Sequence, residues 1–216
     1  MKSAAPRLQG ALIGCGFVSR FHVEGWAKVS QARLAALCDL DRQRLEQAAA
    51  KVPGARLYTD AAALFESEQG LDFVEICTRP ELHRALVELA ARSGVHVLCQ
   101  KPSAAVRSDL GAMIRACDSS GIRLRFHENR RFRSWYRALR AEISAGTIGR
   151  PICLRIAHRD TRALREGGYD DQPYFRTMPR LILLEISFSA HRRLIISEFP
   201  TACQVSRRRP VTCPAG

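Results

Sequence analysis

The stretch Leu8–His22, LQGALIGCGFVSRFH, decides the reading of this chain. An apolar run, Ala11-Leu12-Ile13, meets Gly14-Cys15-Gly16, and a segment with helical spacing follows at once. That order reads as strand, tight glycine turn and helix start. Such a turn lets a diphosphate approach the backbone, where a helix N-terminus offers unbonded N–H groups and the positive end of its dipole. Gly14 would make the turn, Gly16 would admit the phosphate, and Phe17 and Val18 would complete the cofactor-facing segment. Ser19 stands where a small third residue lets helix pack on strand. An ordinary strand–helix turn gives the same local pattern, so the surroundings have to decide.

The surroundings repeat the unit. Ala32–Cys38 reads as a second strand, Leu57-Tyr58 as a short third, Leu71–Thr78 as a fourth, Val95–Cys99 as a fifth and Ile122–Phe126 as a sixth. Helices are expected over 18–29, 41–52, 61–66, 80–93 and 108–119, stopped by Pro53-Gly54, Gly94 and Gly121. Strands that are apolar throughout and alternate with helices form a parallel sheet covered on both faces. The fold class over 1–128 is therefore α/β, a Rossmann-type doubly wound parallel sheet. Ligands of such sheets bind at the carboxyl ends of the strands. Gly14, Asp39, Thr78 and the Gln100-Lys101-Pro102 stretch all follow strand ends and are expected to meet in one crevice.

Asp39 closes the second strand, 25 residues beyond Gly14. A carboxylate there would bind the adenosine ribose hydroxyls and repel a 2′-phosphate, which favours NAD; Arg42 keeps NADP open. The alternative for Asp39 is an N-cap for the helix beginning near Arg42.

Composition narrows the class. The chain has 216 residues, 46% hydrophobic and 25% charged, as in a globular protein. No apolar run approaches the roughly 20 residues of a membrane span, and MKSAAPRLQG lacks a signal peptide's apolar stretch, so a cytoplasmic protein is expected. The eight cysteines form no C-x-x-C pair, which favours buried free thiols over disulfides; without a ligand cluster in sequence, no metal is expected. The net charge of +13 invites a nucleic-acid reading, but the arginines are dispersed and no recognition motif accompanies them. A solvated basic surface, with Arg131, Arg133, Arg137 and Arg140 on one helix face, accounts for the charge without a nucleic-acid partner.

Three blocks then resemble one family: IGCGFVSRFH (13–22), DFVEICTRPELHRALVELAARSGVHVLCQKP (72–102) and HENRRFRSWYRALRAEISAGTIGRP (127–151). Together they are similar to the glucose–fructose oxidoreductase, inositol dehydrogenase and MocA-like family of NAD(P)-dependent oxidoreductases. The resemblance implies hydride transfer between the nicotinamide and a hydroxyl or keto carbon of a sugar, cyclitol or related polyol. It implies that Lys101, in the place of the family's Glu-Lys-Pro lysine, is the catalytic polar group beside nicotinamide and substrate, with Gln100 replacing the usual glutamate and Pro102 following in cis. Thr78, Pro80 and His83 match the turn lining the nicotinamide end. Asn129 and Arg130 match the region bordering the substrate crevice, with Phe132 beside them. A homo-oligomer is implied for an intact relative through its second domain.

The likeness continues over 129–185 and implies a junction helix and the start of an incomplete α+β second domain for substrate and dimerisation, with Ile152–Ala157 as its first strand and DDQPYFRTMPRLILLE (170–185) as family-like sequence. It ends after Glu185. His191 is the histidine available there, and no aspartate stands beside it. The tail 186–216 carries five Arg against one Glu. Such composition is expected of out-of-frame translation of a GC-rich gene, and the segment is expected to be disordered; a natural short tail is the alternative. A non-catalytic nucleotide-binding remnant is the second functional reading.

Overall fold

The computed structural model describes residues 6–151. The expectations for the second-domain strand, for His191 and for the tail lie outside the described residues.

Six strands and five helices alternate: β1 (Leu8–Ile13), α1 (Ser19–Trp26), β2 (Ala32–Cys38), α2 (Arg42–Ala49), β3 (Arg56–Tyr58), α3 (Ala61–Ser67), β4 (Phe73–Ile76), α4 (Pro80–Arg92), β5 (His96–Cys99), α5 (Arg107–Ser119) and β6 (Leu124–Phe126). A 3-10 turn (Asn129–Phe132) and α6 (Ser134–Ser144) follow. The strands form one parallel sheet in the order β3-β2-β1-β4-β5-β6. This is the doubly wound arrangement, with its switch point between β1 and β4.

Local chemistry explains the boundaries. α4 opens on Pro80 at its first position, and Gly94 follows its end at φ +69°, a conformation that costs glycine little. α1 is shorter than its spacing predicts. Its last turn tightens into i→i+3 bonds, from Lys28 N–H to Gly25 O and from Val29 N–H to Trp26 O, and the helix ends at Trp26.

Pleating splits the core in two. Ala11, Ile13, Val74, Ile76, Val97 and Cys99 face the layer of α4 and α5, with Val87, Met113 and Cys117 packed on them. Leu12, Leu37 and Phe73 face the other way, against Val23 and Leu45 of α1 and α2. On that second face Phe73 lies over Gly10, where a Cβ would come within 2.1 Å of its ring, and stacks on Trp26 at 4.7 Å between centroids. A charged residue, Glu75, shares this face and is wholly buried.

Residues up to Asn129 belong to the compact unit that holds the sheet; Arg130 opens a second. In the latter, Arg133 at the cap of α6 and Arg137 and Arg140 on the helix are exposed, and Tyr136 is buried. Arg131 is also exposed, and its guanidinium lies over the Phe132 ring.

Candidate functional site

The strands end together. Ile13 is in register with Cys38 and with Ile76, Ile76 with Cys99, and Cys99 with Phe126. The next residues, Gly14, Asp39, Cys77, Gln100 and His127, therefore form one row along the carboxyl edge of the sheet.

At the head of the row, Gly14 has φ +96°, and a Cβ there would lie 2.8 Å from the Cys77 carbonyl carbon. Both facts require glycine. Gly16 differs: a Cβ on it would meet nothing within 4 Å, so the turn leaves open space beside its backbone. Ser19, nearly fully buried, donates its hydroxyl to Gly16 O at 2.6 Å and fixes the turn on α1. Val18 at the N-cap brings no side-chain hydrogen bond to the first turn of α1, where Phe21 N–H donates to Val18 O, so no side chain of the cap competes with a ligand for that turn. An open glycine backbone against an uncapped helix start fits a dinucleotide diphosphate.

Asp39 is tied to this turn. Its Oδ2 accepts Cys15 N–H at 2.6 Å and its Oδ1 accepts Asp41 N–H at 2.8 Å. The cap of α2 is Asp41, which accepts from Gln43 N–H and Arg44 N–H, so the capping alternative for Asp39 does not hold. Two aspartates flank Leu40, and the one nearer the helix takes the cap. Arg42 reaches Glu46 Oε1 at 3.2 Å from an exposed position. Burial first, then the Asp39 charge, pushes the Cys15 thiol up to about 12 and Cys38 up to about 11, so the thiols beside the turn stay protonated.

Past β4, Thr78 and Arg79 lead to Pro80 and α4. His83 is not brought to the crevice. It is fully buried, with Nε2 3.1 Å from Thr78 O and Nδ1 3.4 Å from Ser103 O. Burial holds its imidazole below the usual range, against the opposing pull of these carbonyls. A neutral ring has one N–H, and it serves the nearer carbonyl, that of Thr78. His83 braces the segments on which Thr78 and Lys101 stand instead of lining the crevice.

Lys101 is half-buried at the end of β5, and its bond to Pro102 is cis. Gln100, mostly buried, accepts Lys101 N–H on Oε1 at 2.8 Å and approaches His22 Nε2 with Nε2 at 2.8 Å. His22 Nδ1 in turn lies 2.6 Å from Glu75 Oε1, and Trp26 Nε1 donates to Glu75 Oε2. His127 Nε2 stands 2.6 Å from the same Oε1 without hydrogen-bond alignment. Burial works to raise the Glu75 carboxyl, but the imidazoles of His127 and His22 outweigh it and bring it down to about 2. Glu75 is thus an ionised, buried carboxylate.

None of Glu75, His22, Trp26 or His127 was assigned from sequence. The signal was a carboxylate inside the apolar strand LDFVEICT, which cannot be buried unpartnered, and a His–Trp pair spaced i, i+4 on one helix face. The sequence held no metal-ligand cluster, whereas the fold assembles one: ligand atoms of His22, Glu75 and His127 all lie within 4.8 Å of one another. Asn129 is exposed three residues beyond β6; Arg130 falls in the other unit, outside this row.

A sequence model of the oxidoreductase family with an NAD-binding Rossmann fold, Gfo/Idh/MocA, matches residues 8–127. The chain is 42% identical over 180 residues to a D-apiose dehydrogenase of Paraburkholderia graminis, covering 83% of this chain and 47% of that protein. It is 32% identical over 149 residues to a myo-inositol 2-dehydrogenase of Thermotoga maritima, covering 69% and 44%. The crystal structure of an oxidoreductase from Agrobacterium radiobacter in complex with NAD+, L-tartaric acid and magnesium superposes with a TM-score of 0.69 at 40% identity, covering 78% of this chain and 48% of that one. The chain thus spans about half the length of these relatives. With the matched residues running from the first strand through His127, the chain belongs to the Gfo/Idh/MocA oxidoreductase family, and its six-stranded sheet is that family's NAD-binding Rossmann fold.

Proposed function

We propose that this chain binds NAD along the carboxyl edge of its sheet and serves hydride transfer to or from a hydroxyl- or keto-bearing carbon of a sugar- or cyclitol-like polyol. The observation that carries this reading is the row itself: in-register strand ends set the glycine turn, Asp39 and the Gln100-Lys101 corner along one edge. The relatives' names, D-apiose and myo-inositol 2-dehydrogenase, support the substrate class.

The geometry and the family likeness support the following roles. Gly14 and Gly16, with Phe17 and Val18, hold the diphosphate against α1. Asp39, already oriented by two backbone N–H groups, keeps lone pairs for the ribose hydroxyls and opposes a 2′-phosphate. Thr78 and Pro80 border the nicotinamide end, with His83 behind them. The nicotinamide, when bound, supplies the hydride acceptor or donor. Lys101 brings a cation to the substrate oxygen and steadies the charge that builds there, the hydroxyl proton passing to water as C–H and O–H give way to C=O. Gln100 sets the backbone of Lys101, and Asn129 borders the substrate. The cytoplasm is the proposed compartment, supported by five free cysteines among the described residues, and an intact protein is proposed to assemble as a homo-oligomer.

The test is NADH titration followed by turnover on a polyol panel that includes apiose and myo-inositol. Saturable binding that weakens at least tenfold in Asp39→Ala, with turnover lost in Lys101→Met, is expected. Binding without turnover on any polyol would leave a nucleotide-binding module, and no NADH binding would overturn the reading.

A further inference from the structure

The ring of His22 has its protonation pattern dictated by its neighbours. The Lys101 backbone N–H, 2.8 Å from the Gln100 side chain, can only donate, so the atom it meets is the amide oxygen. The other end of the amide is then the NH2 group, 2.8 Å from His22 Nε2. An NH2 group also only donates. His22 Nε2 is therefore the bare, accepting nitrogen, and a neutral ring carries its proton on Nδ1. That nitrogen stands 2.6 Å from Glu75 Oε1 and donates to it.

We infer that Gln100 is a tautomer clamp: it fixes the proton of the neutral His22 ring on Nδ1 and, through that ring, ties the backbone of Lys101 to the buried Glu75. Gln100, His22 and Glu75 are then positioning residues for Lys101. The importance of Lys101 rests on the oxidoreductase reading; the protonation pattern does not.

Every group facing His22 agrees with this pattern. Glu75 from β4 accepts. Trp26, one turn along α1, occupies the other carboxylate oxygen instead of competing for the first. His127, following β6, meets the His22 ring edge-on at 4.6 Å between centroids and brings its own Nε2 to Glu75. A metal among His22, Glu75 and His127 requires the opposite tautomer, because a ligating Nδ1 must be bare. The proton would move to Nε2 and face the Gln100 NH2 group. Turning the amide to relieve that contact would put NH2 against the Lys101 N–H. Either way two buried donors oppose each other, so clamp and metal site exclude one another.

The experiment uses the full chain labelled with 15N-histidine, without cofactor or substrate. Long-range 1H–15N spectra report each ring nitrogen as bare or protonated. The His22 signals are assigned by their loss in His22→Gln and by through-space contact with the Trp26 indole. A bare Nε2 and a protonated Nδ1 are expected. Gln100→Glu, which sets an acceptor against Nε2, is expected to turn that nitrogen into the protonated type. Gln100→Ala is expected to speed Lys101 amide exchange roughly fivefold. A protonated Nε2 in the wild type overturns the clamp, as does a stoichiometric shift of His22 Nδ1 on adding Zn2+. An unchanged Lys101 amide in Gln100→Ala overturns the tie to Lys101. If Gln100→Glu fails to fold, the wild-type pattern alone decides. The predicted tautomer in a sample that binds no NADH supports the clamp and removes only the oxidoreductase reading.

Discussion

Glu75 carries a full charge in the middle of a parallel strand with none of its surface exposed, and it is tolerated because Trp26, His22 and His127 close on both its oxygens. Its carboxyl is lowered from 4.5 to about 2, so its pairing stabilises the fold by on the order of 3 kcal/mol above the unfolded value. The sign follows from linkage: a depressed carboxyl contributes in full above about pH 4.5 and loses that contribution as pH falls toward 2. Urea unfolding between pH 6 and 3 is expected to show this loss in the wild type and a flatter profile in Glu75→Gln. The variant should also be about 2–4 kcal/mol less stable at neutral pH, since it leaves buried imidazole and indole donors poorly met. Equal slopes in the two proteins would show that Glu75 is not the group titrating. Gly14 presents the complementary case of a residue fixed by backbone: its φ of +96° and the Cys77 carbonyl 2.8 Å from a notional Cβ leave no room for any side chain. Gly14→Ala is expected to cost about 1–3 kcal/mol in thermal unfolding.

Among the elements, α4 shows how a helix is registered by a single side chain. Its proline start and glycine stop set its length, but His83 sets its attachment, its buried ring donating to the Thr78 carbonyl after β4 and packing beside Ser103 after β5. Because burial depresses this imidazole, it stabilises the fold while neutral, above its ordinary 6.5, and that contribution falls as pH drops below that value. His83→Leu, close in size, should cost about 1–3 kcal/mol at pH 8 by leaving the Thr78 carbonyl unpaired. The gap between variant and wild type should narrow at pH 5.5, where the wild type must force a proton onto a buried ring or unfold; a constant gap in chemical denaturation would count against this account. The existence and kind of these elements were legible because the central strands are apolar and three of the helices meet a glycine or proline stop: Ala32–Cys38 is read from sequence with its observed bounds, and Pro80 and Gly94 delimit α4. The cap of α2 was not legible, since DLD offers two aspartates and only backbone direction tells which oxygen faces the helix. His83 was legible as present but not as buried, because periodicity places a side chain on a face without saying what covers it.

The molecule as a whole is organised by alignment of strand ends, and that alignment is what sequence reads least well. The order β3-β2-β1-β4-β5-β6 brings β4 beside β1 across more than fifty residues of chain, and this pairing lets a carboxylate of one strand meet a helix that precedes it and a histidine that follows two strands later. Such contacts join residues 22, 75, 100 and 127, which no local pattern connects. The glycine turn, by contrast, is local, and its two glycines divide the labour. Gly14 is required by the fold, whereas Gly16 has no conformational need and a side chain there would point into open space. Gly16→Ala is therefore expected to leave the unliganded protein within about 0.5 kcal/mol of wild type. If the turn receives a diphosphate, the added methyl occupies the approach itself. NADH at a hundredfold excess over its Kd should stabilise the wild type by about 2.7 kcal/mol, seen as a rise in Tm, because ligand bound only to the native state shifts the unfolding equilibrium. In Gly16→Ala that rise should shrink or vanish while the unliganded Tm holds. An equal rise in both proteins would mean that NADH binds elsewhere, and a lower unliganded Tm in the variant would mean that Gly16 serves the fold after all.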